Sequence, residues 1–326
     1  MAAPVPVPQK LLDFIQEGTK FLVAGHHEPD GDCVGSQMAL VSALKRLGKE
    51  AIPCSAGPFK RTEIASLADR FLNQIGEKER ESSRVIIVDC AAANRTGSLE
   101  ESLKGLPLAV IDHHATNSEA SPGTVIFLDA EAPSVTFMVL ELIEALGLTP
   151  TQEEAKFLLF GLCTDTGFFR HVDAGGSGTF ACASRLIRAG ANPKAVFRSI
   201  HGGKSLGSRI LLGRILSRAE TYYEGKLAFS YETYEDTQKF GLDGRDSDSL
   251  YQLLQSIDGV EAIAIIRQES AAECTVGLRS LDRINVAEIA ALFGGGGHKN
   301  AAGIKIAGTI EKLKPKLIGA FENYLG

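Results

Sequence analysis

Residues 21–49 read FLVAGHHEPDGDCVGSQMALVSALKRLGK, and the order of their parts decides the fold. A short apolar run, Phe21–Val23, leaves abruptly into a stretch crowded with His26, His27, Glu28, Asp30 and Asp32. Met38, Leu40, Val41, Leu44 and Leu47 then recur at helical spacing, with Ser36 placed to cap the helix they would form. Strand, polar turn and helix in that order point to a parallel α/β layer, whose ligand sites lie beyond the carboxyl ends of the strands. Clustered carboxylates repel one another unless cations compensate. The turn is therefore either a charged surface loop or half of a metal site.

The same pattern recurs downstream. RVIIVDC (residues 84–90) is an apolar strand ending in Asp89, and LPLAVIDHH (106–114) is another, ending in Asp112, His113 and His114. The helical stretch EEAKFLLFGLCTDTG delivers Asp165 near its end. Such continuously apolar strands are covered on both faces, so polar residues just past them gather at one edge of a sheet. A further helix is expected over about Gln9–Gly18. After RLIRAGANPK the composition changes: FRSIHGGKSLGSRILLGRILSRAE begins loosely and becomes an amphipathic helix. Beyond it KLAFSYET, VEAIAIIRQE and ECTVGLRS read as strands, and SLYQLLQSI, NVAEIAALF and the final EKLKPKLIGAFENYL as helices. The expected organisation is a catalytic domain over 1–190, a linker and connecting helix over 191–220, and a smaller α+β domain over 221–326.

Composition narrows the class. A chain of 326 residues with 44% hydrophobic and 23% charged residues folds into ordinary globular domains. With 34 basic against 40 acidic residues it has no basic footprint for duplex nucleic acid, although a few local cations could still hold a small anion. The start, MAAPVPVPQK, is a poor secretory signal, and no apolar run is long enough to span a membrane. Six scattered cysteines without a C-x-x-C pair read as reduced thiols of a cytoplasmic protein, and Cys33 and Cys90 as packing residues. HGGKS (201–205) imitates the end of a phosphate-binding loop, but Arg198 stands where its first glycine is needed and no apolar strand precedes it.

His26, Asp30, Asp32, Asp89, Asp112, His113, His114 and Asp165 together offer more ligands than one ion needs. Carboxylates mixed with imidazoles suit manganese, iron, cobalt or zinc, whereas magnesium prefers oxygen and water. Two ions sharing one carboxylate would use the whole set.

These residues carry a resemblance. HHEPDGDCVGS, VDC, the DHH at 112–114 and CTDTGFF resemble, in order, the four motifs of the DHH phosphoesterase superfamily. GLRS and GGGGHKNAAG (294–303) are similar to the signature of its associated C-terminal DHHA1 domain. The resemblance implies a parallel-sheet DHH domain, a smaller α+β domain and an active site in the cleft between them. It implies two divalent ions, manganese first, with magnesium or cobalt as alternatives. His26 and Asp30 would bind one ion, Asp32, His113 and Asp165 the other, and Asp89 would bridge. Asp112 would orient the histidines, and His114 would face the substrate phosphate. A water made into hydroxide by the two ions would attack phosphorus in line with the leaving oxygen.

In the second domain the resemblance places Arg279, Gly294, Gly295, Gly296, Gly297 and His298 on the substrate. Four consecutive glycines suit a backbone nest around an anion, and Arg279 could fork onto a phosphate. The architecture resembles most the bifunctional oligoribonuclease and pAp phosphatase group. Short RNA or small nucleotides are then the expected partners, with a homodimer compatible. Cyclic or linear dinucleotide hydrolysis, single-strand exonuclease action and non-catalytic nucleotide binding stay open as alternatives.

Overall fold

The apolar runs that end in Asp89 and Asp112 are neighbouring strands of one sheet, and the run that ends in Asp165 is a helix. The computed structural model describes residues 6–114, 122–281 and 283–326, so part of the proline-rich start lies outside it. The chain divides into two units, Met1–Gly202 and Gly203–Gly326.

The first unit is built on β1 (Lys20–Ala24), β2 (Glu50–Cys54), β3 (Ser83–Val88), β4 (Leu108–Asp112) and β5 (Val125–Leu128). All pair in parallel, in the order β2-β1-β3-β4-β5. The helices are α1 (Gln9–Glu17), α2 (Gly31–Arg46), the short α3 (Glu77–Arg80) and α4 (Glu100–Leu103), then α5 (Val135–Ala145), α6 (Gln152–Asp165), α7 (Ser177–Arg188) and α8 (Pro193–His201). Alternate residues of the central strands feed two cores. Phe21, Val23, Ile86 and Val88 pack with the helices α2, α5 and α6, whereas Leu22, Ala24, Val85 and Ile87 pack with Cys54, Leu99 and Leu103. Burial on both faces explains why these strands read as unbroken apolar runs. Each such side chain contributes about 1.5–3 kcal/mol of transfer free energy.

The strand order reverses between β1 and β3, and loops leaving that point in opposite directions open a crevice. Close helix packing then fixes what borders it. A Cβ on Gly31 would stand 2.5 Å from Thr164, and one on Gly161 would stand 2.4 Å from Thr136. Glycine lets α2 lie directly on α6, bringing the first turn of one to the last turn of the other. The helix α2 starts six residues earlier than a cap at Ser36 would set it. Asp30, not Ser36, caps it, its Oδ1 accepting from the N–H groups of Asp32 and Cys33 at 3.1 Å each, while Ser36 is buried within the helix.

The second unit contains α9 (Leu206–Ser217), β6 (Glu220–Tyr222), β7 (Leu227–Glu232), α10 (Tyr234–Phe240), α11 (Ser247–Gln255), β8 (Ala262–Ser270), β9 (Glu273–Ser280), α12 (Val286–Ala291), β10 (Gly296–His298), β11 (Ala301–Ala307), α13 (Ile310–Gly319) and α14 (Glu322–Leu325). Its mixed sheet runs β10-β11-β9-β8-β7-β6, with only β7 and β8 parallel. The segment expected to begin loosely is helical from Pro193 to His201. Only Gly202–Ser205 stays irregular, and Ser205 caps α9 by accepting from Ser208 N–H at 3.0 Å. No strand leads into HGGKS, which is a helix-to-helix connection. Among the described residues no helix is long and apolar enough to cross a membrane.

Candidate metal centre

Three strand ends and two helix ends meet at the crevice. Asp89 follows β3 directly, in a left-handed conformation (φ 61°) that turns its carboxylate across the carboxyl edge of the sheet. Its two oxygens face different ways. Oδ2 lies 3.5 Å from His26 Nε2, and Oδ1 lies 3.8 Å from His113 Nε2. His26 Nε2 also lies 3.9 Å from Asp30 Oδ1, and His113 Nε2 lies 3.5 Å from Asp165 Oδ2. Asp32, His113 and Asp165 present donor atoms within 4.8 Å of one another. Donors that share an ion at about 2.0–2.2 Å each stand roughly 3–4 Å apart, so these separations fit ion binding. The donor atoms form three overlapping groups, His26 with Cys33 and Asp89, Asp89 with His113 and His114, and Asp32 with His113 and Asp165, which suit one or two divalent ions.

The far nitrogens are held as ligation demands. His26 Nδ1 meets the carbonyl of His27 at 2.9 Å, and His113 Nδ1 meets the carbonyl of Ala132 at 3.1 Å, which leaves both Nε2 atoms turned to the cluster. Asp112 therefore orients one histidine ring and not both. Its Oδ1 accepts from His114 Nδ1 at 2.7 Å and from the backbone N–H groups of His113 and His114 at 2.9 and 3.3 Å. The half-exposed His114 also brings its Nδ1 to 3.9 Å from Asp89 Oδ1, in one donor group with Asp89 and His113.

Asp32 is fully buried at the start of α5. Its Oδ2 accepts from Val135 N–H at 2.6 Å, and its Oδ1 accepts from the N–H and hydroxyl of Thr136 at 2.9 and 2.7 Å. A carboxylate at a helix N-terminus is favourably placed. Even so, burial, reinforced by the charge of Asp165, pushes Asp32 up to about 7. Burial and the charge of Asp32 raise Asp89 well above the ordinary carboxylate range, and burial raises Asp165 as well. Asp30 goes the other way, to about 2: against its burial, the nearby His26 ring and the Cys33 N–H favour the charged form. His26 is likewise raised in spite of burial, because Asp30 and Asp89 flank it. The donor set is an excess of buried anions, which divalent cations would neutralise.

Two features escaped the sequence reading, the placing of Cys33 and that of Arg61, and the roles it left open for Glu28 and His27 gain local partners. Cys33, read as packing, lies with His26 and Asp89 in one donor group, although its Sγ also sits 3.6 Å from Gln37 Oε1. Arg61 Nη2 lies 4.0 Å from Asp30 Oδ2 at the edge of the cluster. Glu28 has φ 55° and pairs with Lys60, while His27 donates its N–H to the Arg95 carbonyl at 2.7 Å. No spacing in the sequence links Arg61 to the motifs; only the fold does.

In the second unit the four glycines are not one loop. Gly294 and Gly295 end the turn after α12 by donating to Ala291 and Ala290, and Gly296 and Gly297 already belong to the edge strand β10. His298 pairs with Ala301, and Ala301 with Arg279, so Arg279 and His298 occupy one row across three strands with only a methyl between them.

The chain matches the DHH family, N-terminal domain, over residues 20–162 and the DHHA1 domain over residues 224–326. It belongs to the DHH/DHHA1 phosphoesterase family. As a member it is a metal-dependent hydrolase, in agreement with the donor groups of the first unit. This DHH/DHHA1 protein is 29% identical over 286 residues to a bifunctional oligoribonuclease and PAP phosphatase of Thermus thermophilus, spanning 88% of this chain and 84% of the relative. It is 26% identical to a cyclic-di-AMP phosphodiesterase of Listeria monocytogenes over 98% of this chain, which spans only 50% of that relative's length. In fold it is similar to an exopolyphosphatase-related protein of Bacteroides fragilis, with a TM-score of 0.80, 23% identity and coverage of 97% and 95%.

The titrations give a prediction for the metal-stripped protein. Asp32 at about 7, against about 3.8 when unfolded, makes the folded state bind an extra proton, so stability grows as pH falls through 7 and the gain is complete near 4. The raised His26 acts in the same sense, its contribution being full only below its unfolded value near 6.5. Asp30 opposes this only below about 3.8, where its own contribution begins to be lost. Stripped protein should therefore melt about 4 °C higher at pH 5.5 than at pH 8. Metal-loaded protein should show the reverse, since ions bind deprotonated ligands. Melting curves with and without manganese test both signs; a stripped protein most stable at pH 8 would contradict the anion crowding.

Proposed function

We propose that this protein hydrolyses short oligoribonucleotides, about two to five residues long, to mononucleotides and removes the 3′-phosphate of pAp, with two manganese ions as cofactor. The observation that carries this reading is the span of the match: the oligoribonuclease and PAP phosphatase relative aligns over most of both chains. The cyclic-di-AMP phosphodiesterase relative has half of its own length outside the match. His26, Asp30 and Asp89 would hold one ion, and Asp32, His113, Asp165 and Asp89 the other. Bound there, the ions would supply an activated water and two positive charges facing the phosphoryl group.

The chain's own residues do the rest. Asp89 keeps the two donor groups in register through its separate oxygens. The hydrogen bonds from α5 hold Asp32 in one orientation. His114, held by Asp112 through Nδ1, would face a phosphoryl oxygen of the substrate. Arg279, His298 and the backbone of β10 would grip the phosphate that is not cut.

Hydrolysis of cyclic or linear dinucleotides is the second reading, favoured by a match to the phosphodiesterase relative that spans nearly all of this chain. One experiment separates the two. Purified protein with manganese is assayed in parallel on ribodinucleotides, a long single-stranded RNA, pAp, cyclic di-AMP and pApA, and kcat/KM is ranked. Short RNA and pAp at the top support the proposal. A preference for cyclic di-AMP or for pApA alone moves the protein to the second reading, and a preference for the long strand makes it an exonuclease.

A further inference from the structure

The row of Arg279 and His298 borders an open pocket of about 360 Å³ that lies wholly within the second unit. Arg279 and Arg267 both line it, and none of its lining residues is acidic. Its floor is bare backbone. Gly277 of β9 pairs with Gly303 of β11, and Gly303 pairs with Gly296 of β10, so three glycines in cross-strand register lie beside the Arg279 row. Because side chains alternate along a strand, this glycine row faces the same side as Arg279. Packing does not demand all three: a Cβ on Gly296 would meet nothing within 4 Å, and one on Gly303 would only touch Val276 O at 3.9 Å.

Arg279 itself has an unusual support. No carboxylate pairs with it among the described residues; its Nη1 donates to the Leu278 carbonyl at 2.9 Å, and its guanidinium lies over the ring of Tyr251, 4.4 Å from the centroid. Tyr251 comes from α11 and is buried, yet its hydroxyl has no hydrogen-bond partner. The ring reaches this place only because residue 277 is glycine, where a Cβ would stand 1.8 Å from the tyrosine oxygen. A buried hydroxyl without a partner opposes folding, so the ring, and not the hydroxyl, is the useful part of the side chain.

We propose that Tyr251 is the positioning residue for Arg279, its ring serving as the platform that aims an otherwise unpaired guanidinium into the glycine-floored pocket, where a substrate phosphate is held. A carboxylate partner would fix the arginine equally well but would neutralise the charge the phosphate needs. An aromatic face fixes it and leaves that charge available. The proposal rests on the reading that Arg279 binds a substrate anion, and the test separates the two.

Steady-state kinetics are measured on the manganese-loaded full chain with the best substrate of the panel above, and AMP is added as a competing mononucleotide. Tyr251→Leu should raise KM and the inhibition constant for AMP about fivefold with kcat within about twofold. Tyr251→Phe, which keeps the ring, should return both constants to within about twofold of the unmodified protein. Tyr251→Leu combined with Arg279→Ala should bind at most about twofold more weakly than Arg279→Ala alone, because the ring acts chiefly through Arg279 at 4.4 Å and touches Arg267 only at 6.0 Å. Should Tyr251→Leu fail to fold, Gly277→Ala displaces the ring instead: it should raise KM, and adding Tyr251→Phe should recover most of the loss. Multiplying losses in the double variant, or a Tyr251→Phe as impaired as Tyr251→Leu, would overturn the positioning role. An Arg279→Ala with normal KM would overturn the anion reading and this proposal with it, whereas a weakened Arg279→Ala beside a normal Tyr251→Leu would overturn the proposal alone.

Discussion

Asp89→Ala should lower kcat by at least about a thousandfold and reduce tightly held manganese from two ions per chain to one or fewer. The expectation comes from the carboxylate's two oxygens, one 3.5 Å from His26 and the other 3.8 Å from His113. On the proposed division Asp30 serves one ion only, so Asp30→Ala should lose about ten times less activity and keep the ion proposed for Asp32, His113 and Asp165. Metal analysis after desalting, alongside kcat, checks both. A separate readout guards against simple misfolding. Burial and the charge of Asp32 push the Asp89 carboxyl well above the ordinary carboxylate range, so its charged form is disfavoured where it stands. Stripped of metal at pH 8, Asp89→Ala should therefore melt above the stripped unmodified protein. A lower melting point would mean that Asp89 is needed for the fold, and a plateau at two ions would end its bridging role.

The second large effect separates holding from cutting. Arg279→Ala should raise KM on the order of 30-fold, since a charge-assisted contact to phosphate is lost, and leave kcat within about threefold. Asp165→Ala should do the opposite, lowering kcat about a hundredfold or more while KM changes little. His298→Ala should follow Arg279→Ala with a smaller effect, because it stands in the same row at the exposed edge strand. The two patterns are read from one set of initial-rate curves. An Arg279→Ala that lost only kcat would place the arginine at the reacting phosphorus.

Much of the site is written where a buried strand stops. VIIV and LAVI are apolar because both faces of the sheet are covered, and the residue that breaks each run, Asp89 or Asp112, falls at the carboxyl edge by necessity. The two edge strands lacked that signature. β2 contains Pro53 and β5 has only four residues with Ile126 exposed, and an edge position tolerates both. The early start of α2 was hidden because GDCVG, with two glycines and an acid, reads as turn until Asp30 is seen to cap it. Contacts between distant residues were out of reach altogether. Nothing around Asp32 announces Val135 and Thr136, which lie more than a hundred residues away and meet it only because glycines let α2, α5 and α6 close on one another. The same holds for Tyr251 and Gly277, whose fit is a matter of one missing methyl.

Every proposed ion ligand precedes residue 166, and the arginine row with its glycine floor follows residue 276, the two units joining at Gly202–Gly203. Heritable change can therefore act on them separately. On the proposed reading, a substitution on β9, β10, β11 or α11 falls on the unit that would hold the nucleotide, whereas every proposed ligand carboxylate and imidazole belongs to the other. If that reading holds, taste for a substrate can be retuned around Tyr251 and Gly303 while the cutting chemistry is inherited unchanged.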